Sequence, residues 1–336
     1  MNAIRSNALA LASAVGAIVL SSASFAADYK TIERIKVPDG SFDYATFDAS
    51  TGHVYMPRGT FTNVIDVKSG QVSQIPGLND HIALPVPGTN LLVLTHRQGT
   101  IRIWDTKAKA EVASFTGFKN PNSAAYDPAS KLVLVFNKDG GNATLLDPVA
   151  RKVVATIPVA GGTLEFPAAD GAGNILDNVE TTGEIAIIDI AARKETGRYK
   201  IDGCEEPSGL AYVPGAKLLV SACRNGMAKV VEAETGKVIA SLPIGRGPDA
   251  VIYDPVRKLA FIPCGGDGVL EVISLADLAH IAVVQHVQTQ AGSRTGTLDP
   301  GAGRLYLMAS RPDPNAPAGR GAPRLSGSWE VLVVGQ

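Results

Sequence analysis

The stretch Pro248-Asp249-Ala250-Val251-Ile252-Tyr253-Asp254-Pro255 returns in altered form about every forty residues, and this period constrains the fold more than any other feature. Pro121-Asn122-Ser123-Ala124-Ala125-Tyr126-Asp127-Pro128 is its clearest second copy. Aligning the copies on Asp249 gives the equivalent positions Asp43, His81, Asn122, Glu165, Ser208, Asp249 and Arg294. A short apolar segment and a turn follow each one, often with Asp-Pro or Pro-Gly. A β-rich run comes next, as in Leu132–Phe136 and Leu259–Ile262. A third run often closes on Asp, as in Ile101-Arg102-Ile103-Trp104-Asp105. A fourth ends the unit, as in Val153–Ile157.

Four strands in a unit of this length is the pattern of a propeller blade. A helical array can share the period. Alternating Val, Ile and Thr, with 35 Gly and 21 Pro at the turns, argue for strands instead. The expected fold is therefore all-β, a seven-bladed β-propeller. The last copy has only three strands before Glu330–Val334. The lone run Lys30–Val37 is expected to complete that blade and close the ring, leaving no free sheet edge.

Residues 1–26 read as a signal peptide: Arg5, then apolar Ala8–Leu20, then the small-x-small site Ser24-Phe25-Ala26. Residues 27–336 form a single domain in this reading, exported to the periplasm or secreted, with no membrane span after cleavage. A monomer is expected. Basic and acidic residues nearly balance, 31 against 32, so composition gives no push toward nucleic acid or an anionic membrane.

In a propeller the first strand of each blade lines the central channel. The seven aligned positions then form a ring at one mouth. The ends of the second strands give a second ring on that face: Gly59, His96, Asn137, Asn178, Cys223, Cys264 and Ser310. The Pro/Gly/Arg-rich insertion 311–327 belongs to the same face. Any wet mouth is polar, but this ring holds three carboxylates, a His and an Arg, which argues for a ligand site. Glu206 lies in an adjoining loop. His81 and Asp43, with His96 nearby, fall short of a metal motif, so neither a metal nor a cofactor is expected. No nucleophile elbow, phosphate loop or haem site occurs, and Gly265-Gly266-Asp267-Gly268 is a tight turn between strands.

Cys204 and Cys223 lie on one face of the fifth unit, and a disulfide between them is the favoured pairing in an oxidising compartment. Cys223–Cys264, across neighbouring units, is the competing pair.

Across the mature chain the sequence resembles the YncE-like, YVTN-repeat propellers of bacteria. The resemblance is carried by Cys204-Glu205-Glu206-Pro207-Ser208-Gly209-Leu210-Ala211, Cys223-Arg224-Asn225, Ile244-Gly245-Arg246-Gly247-Pro248-Asp249-Ala250 and Thr289-Gln290-Ala291-Gly292-Ser293-Arg294-Thr295, with the insertion before Glu330–Gly335. It departs from the usual pattern at Leu164, where Pro normally precedes the acid, and at Cys264, where Asn is commoner. The resemblance implies an exported seven-bladed propeller, mostly without assigned activity. Some relatives are linked to single-stranded DNA, and distant ones are lactonases or redox enzymes.

Three functions compete. The leading one is a non-enzymatic binding propeller that takes a small ligand or partner segment at the polar mouth. A lactonase-type hydrolase would need His81 or Glu165 as base and Arg294 facing the oxyanion. Nucleic-acid binding rests on Arg311, Arg320 and Arg324 alone.

Overall fold

The computed structural model describes residues 28–316 and 322–336, and the signal segment expected at residues 1–26 lies outside them. The described residues are built almost entirely of antiparallel strands, with one short 3-10 turn at Pro214–Ala216. Five sheets have four strands and one has seven. Strands starting at Pro121, Leu164, Pro207 and Ile252 each open a four-stranded sheet whose strands follow chain order.

The seven-stranded sheet departs from the sequence reading in one detail. A single long strand, Val72–Pro85, ends the first unit and begins the second. Its first half pairs with Gly59–Asp66 and its second half with Leu91–His96. The two halves stay continuous because Gly59 pairs directly with Asp80. A Cβ on Gly77, beside that pairing, would meet backbone atoms of Phe61 and Gly59 at 2.9 and 3.0 Å, so the close approach requires glycine there.

The last sheet combines both ends of the chain. Gly296–Asp299, Arg304–Ala309 and Glu330–Gly335 are joined by Lys30–Lys36, which pairs with Glu330–Gly335 from Lys30 opposite Gly335 to Lys36 opposite Glu330. The lone N-terminal run thus supplies the fourth strand that the last unit lacks.

The repeated Asp has a local cause. At strand ends its carboxylate accepts backbone N–H groups of the following turn: Asp66 from Lys68 and Ser69, Asp105 from Lys107 and Ala108, Asp147 from Val149 and Ala150, Asp254 from Val256 and Arg257. Such Asx turns offer the chain a reversal in place of further strand.

Apolar side chains pack between neighbouring units. Phe136, Leu145 and Ile157 of the third unit share a cluster with Ile175, Val179 and Ile188 of the fourth. Val54, Met56 and Ile65 of the first unit share another with Tyr306, Met308 and Val331 of the last. Burying each such side chain is worth about 1.5–3 kcal/mol, against about 0–1 for an exposed ion pair such as Lys217–Glu234, so these seams hold the sheets together.

Cys204 and Cys223 form a disulfide, with Cα atoms 5.3 Å apart. It ties the loop before the fifth unit to the end of that unit's second strand. In the chain-entropy picture a loop of this length is worth on the order of 3 kcal/mol. Cys264 is unpaired and buried, and burial pushes its thiol pKa up.

Candidate functional site

Where the inner strands begin, neighbouring units are laced together by hydrogen bonds. Thr295 Oγ1 donates to the Asp43 carbonyl at 2.8 Å, and Tyr44 N to the His81 carbonyl at 3.1 Å. Ser123 Oγ donates to the Glu165 carbonyl. Asn178 Nδ2 donates to the carbonyls of Ser208 and Gly209, both at 3.0 Å, and Ser208 Oγ to that of Pro248 at 3.2 Å. His81, Asn122, Glu165 and Ser208 lie within paired strands. Asp43, Asp249 and Arg294 come just before theirs.

Charged members of the set fall into three groups. In the first, His81 is buried with Nδ1 2.6 Å from Asp43 Oδ2 and Nε2 2.9 Å from Asn120 Oδ1. Asn120 is oriented by its own Nδ2, which donates to Asp139 at 2.9 Å. Both ring nitrogens are therefore engaged, and Arg97 Nη2 also lies 3.4 Å from Nδ1. Arg97 stands 3.6 Å from the same Asp43 oxygen.

The second group surrounds Glu165. Lys138 Nζ donates to its Oε1, and Tyr44 Oη to its Oε2 at 3.3 Å. Arg224 pairs with Glu180 at 3.0 Å and with Glu206. Burial of the Glu165 carboxyl, reinforced by a hydrogen bond to Glu180, outweighs the Lys138 ammonium and pushes the pKa up to about 8. Fully buried Asp177 follows the same logic: burial, then the nearby Glu165, hold its carboxyl well above the usual carboxylate range.

A sign follows for stability. Between the ordinary carboxylate range and about pH 8 the folded state binds the Glu165 proton more tightly than the unfolded state does. Stability from this group is present at low pH and is lost as pH rises through about 8. Urea midpoints measured from about pH 5 to 9 are expected to fall for the wild type, and less steeply for Glu165→Gln. Parallel curves for the two proteins would contradict this.

In the third group Arg294 Nε donates to Asp249 Oδ2 at 2.6 Å, while its guanidinium sits 4.5 Å over the Phe42 ring. This side chain keeps 32% of its surface exposed, against 2% for His81 and 5% for Glu165. It also faces a cavity of about 460 Å³ under the insertion.

Comparison with known proteins bears on the fold alone. No family model matches the chain, and no curated protein does. Among solved structures it is similar to a chain of the mitotic checkpoint complex, with TM-score 0.76 and 11% identity over 99% of both chains. It is also similar to Kuenenia stuttgartiensis hydrazine synthase, with TM-score 0.71 and 16% identity over 82% of this chain and 94% of that one. Both neighbours are propeller-type folds. The fold is a β-propeller. At such identities nothing about chemistry transfers with it.

Seen as blades, the sheets bring some expected residues together and leave others apart. Asp43 meets His81, and Asp249 meets Arg294, across neighbouring blades. Asn178 uses its amide to bind the next blade, and Ser208 does the same with its hydroxyl. Asn137 bonds inside its own blade, to Asn142 at 2.6 Å and Thr144 at 3.0 Å. His96 is half-buried, and burial, with Arg102 and His81 beside it, lowers its pKa. Asn122 is buried, as are Ser310 and Cys264, while Glu206 sits exposed against Arg224. Among the described residues no group of three or more His, Cys, Asp or Glu converges as metal ligands.

Sequence reasoning missed Tyr44. It is buried, and its ring packs 4.8 Å from Phe166. Its contact with Glu165 joins the first blade to the fourth, which are not neighbours in the repeat. One signal was available. The position after each aligned residue holds Tyr44, Ile82, Ser123, Phe166, Gly209, Ala250 and Thr295. Two aromatics among mostly small residues mark side chains reaching inward.

Proposed function

We propose that this chain is an exported, monomeric, seven-bladed propeller of the YncE-like, YVTN-repeat type, closed by its N-terminal strand and acting as a binding scaffold. A small ligand or partner segment is captured on the face carrying Asp43, His81, Asn122, Glu165, Ser208, Asp249 and Arg294, with His96, Asn137, Asn178 and Glu206 around them. The hydrogen bonds that pass from unit to unit, and the apolar cluster shared by the first and last units, support a closed ring. The disulfide is compatible with export, and no helix among the described residues is long and apolar enough to cross a membrane.

Tyr44 and Phe166 support a centre plugged just below that face, so a partner is met at the mouth and not drawn through. The observation that carries the reading is Arg294: its charge stays partly exposed while the other aligned charges are largely buried against partners.

A hydrolase is the weaker reading, because its candidate bases are already engaged. Lys138 and Tyr44 take up the two Glu165 oxygens, and both His81 ring nitrogens have partners. Nucleic-acid binding rests on Arg311 and Arg324 among the described residues, and Arg320, the third arginine of that reading, lies outside them.

Native mass spectrometry of the protein recovered from its own cells tests the scaffold reading. A bound species is expected on the wild type and should be lost on Arg294→Ala, whose unfolding midpoint stays close to wild type. Equal retention by both proteins, or bare polypeptide in both, would defeat it.

A further inference from the structure

We propose that the cleft between the Asp39–Phe42 segment and the insertion of the last blade binds a small organic carboxylate with an apolar body. This deepens the scaffold reading and rests on it. The cavity, about 460 Å³, is lined by Asp39, Ser41, Phe42, Arg294, Arg324 and Trp329 among others, and is of a size usual for small-molecule sites.

Two guanidinium groups face it. Arg294 gives its Nε to Asp249. Arg324 makes one long bond, 3.4 Å, to the Ala291 carbonyl. Among the described residues no carboxylate pairs with Arg324, and residues 317–321 contain no acid. Burial and the Arg294 charge together lower the pKa of Arg324, which marks two like charges held close without a shared counter-ion. Side by side, two such forks match the planar, two-oxygen geometry of a carboxylate.

A third cation stands behind the wall. Arg58 is 1% exposed, donates Nε to the Ser41 carbonyl at 2.6 Å, and lies 4.5 Å over the Trp329 ring. Its two terminal nitrogens have no hydrogen-bond partner. A buried cation so poorly matched favours negative charge in the adjoining space. The acids nearby do not cancel the three arginines. Asp249 is bound to Arg294. Asp39 accepts Ser326 Oγ and Gly327 N, the latter at 2.9 Å. That second contact also holds Ser326 and Gly327 against the opposite lip.

The apolar part of the wall selects among anions. Phe42 and Trp329 meet edge to face at 5.9 Å and both border the cavity. Inorganic phosphate would satisfy the arginines and leave these rings against water. A carboxylate carrying an aromatic or aliphatic body satisfies both.

The test uses Trp329 emission in a Trp104→Phe background, since the chain has two tryptophans. Phenylacetate is expected to change that emission saturably, and the neutral 2-phenylethanol is not. Arg324→Gln should weaken phenylacetate binding about tenfold or more, and Arg324→Lys by less, with the thermal midpoint unchanged. Equal affinity in wild type and Arg324→Gln would overturn the proposal. So would phosphate binding as tightly as phenylacetate, or no saturable response to phenylacetate. A native adduct lost from Arg294→Ala but fully kept by Arg324→Gln would overturn the cleft while leaving the binding face standing.

Discussion

Tyr44→Ala is expected to destabilise the protein by about 3–5 kcal/mol, read as a lowered denaturant midpoint at unchanged slope. Tyr44 reaches from the first blade to the fourth, with its ring on Phe166 and its hydroxyl on Glu165. Its removal leaves a cavity where several inner strands meet, and the rigid strands around it have little room to collapse. Tyr44→Phe keeps the ring and loses only the hydrogen bond, so its cost should be near 1 kcal/mol. A loss below about 1 kcal/mol for Tyr44→Ala would mean that the centre is not plugged by this residue.

The second large effect is expected at Gly209. A Cβ there would lie 2.4 Å from the Ala250 carbonyl carbon and 2.5 Å from Val251 N. Both are backbone atoms of the next blade, so no side chain can swing aside. Gly209→Ala must push the fifth and sixth blades apart at their inner edges. The Asn178 and Ser208 bonds that lace this region would lengthen with them. A loss of about 3 kcal/mol or more is expected, at the upper end for overpacking. Gly215→Ala is a control, since nothing lies near its Cβ, and should be close to neutral. Equal midpoints for the two variants would contradict the close approach.

These two residues also show where the sequence was informative and where it was not. Period, four-stranded sheets and the N-terminal fourth strand were legible, because each follows from local patterning: alternating apolar residues, an Asp at many turns, and a final unit one strand short. The Cys204–Cys223 bridge was legible as the favoured of two pairings, because both residues fall on one face of one blade.

The site was legible only as a set of positions. Which polar groups are consumed by the scaffold depends on distances between blades, and those are not encoded in any one repeat. Asn178, placed on the candidate face by its repeat position, gives its amide to the next inner strand. Glu165 looked like a base and carries a raised pKa, because the fold buries it and brings Glu180 to it from another part of the chain. Arg324 read as one of three arginines in the insertion. Only the folded chain places it on one cavity with Phe42, Arg294 and Trp329.

All that is said of the polar face depends on the units being closed into one ring by the N-terminal strand. The direct test is the variant Lys36→Cys with Glu330→Cys, made in a Cys264→Ser background. These two positions are register partners in the last sheet, Lys36 exposed and Glu330 largely covered. Peptide mapping of the unreduced monomer is expected to show a bond between residues 36 and 330, formed in high yield, beside the native Cys204–Cys223 bridge. Free thiols at 36 and 330, or a bond formed only between two chains, would show that the ring is not closed within one molecule.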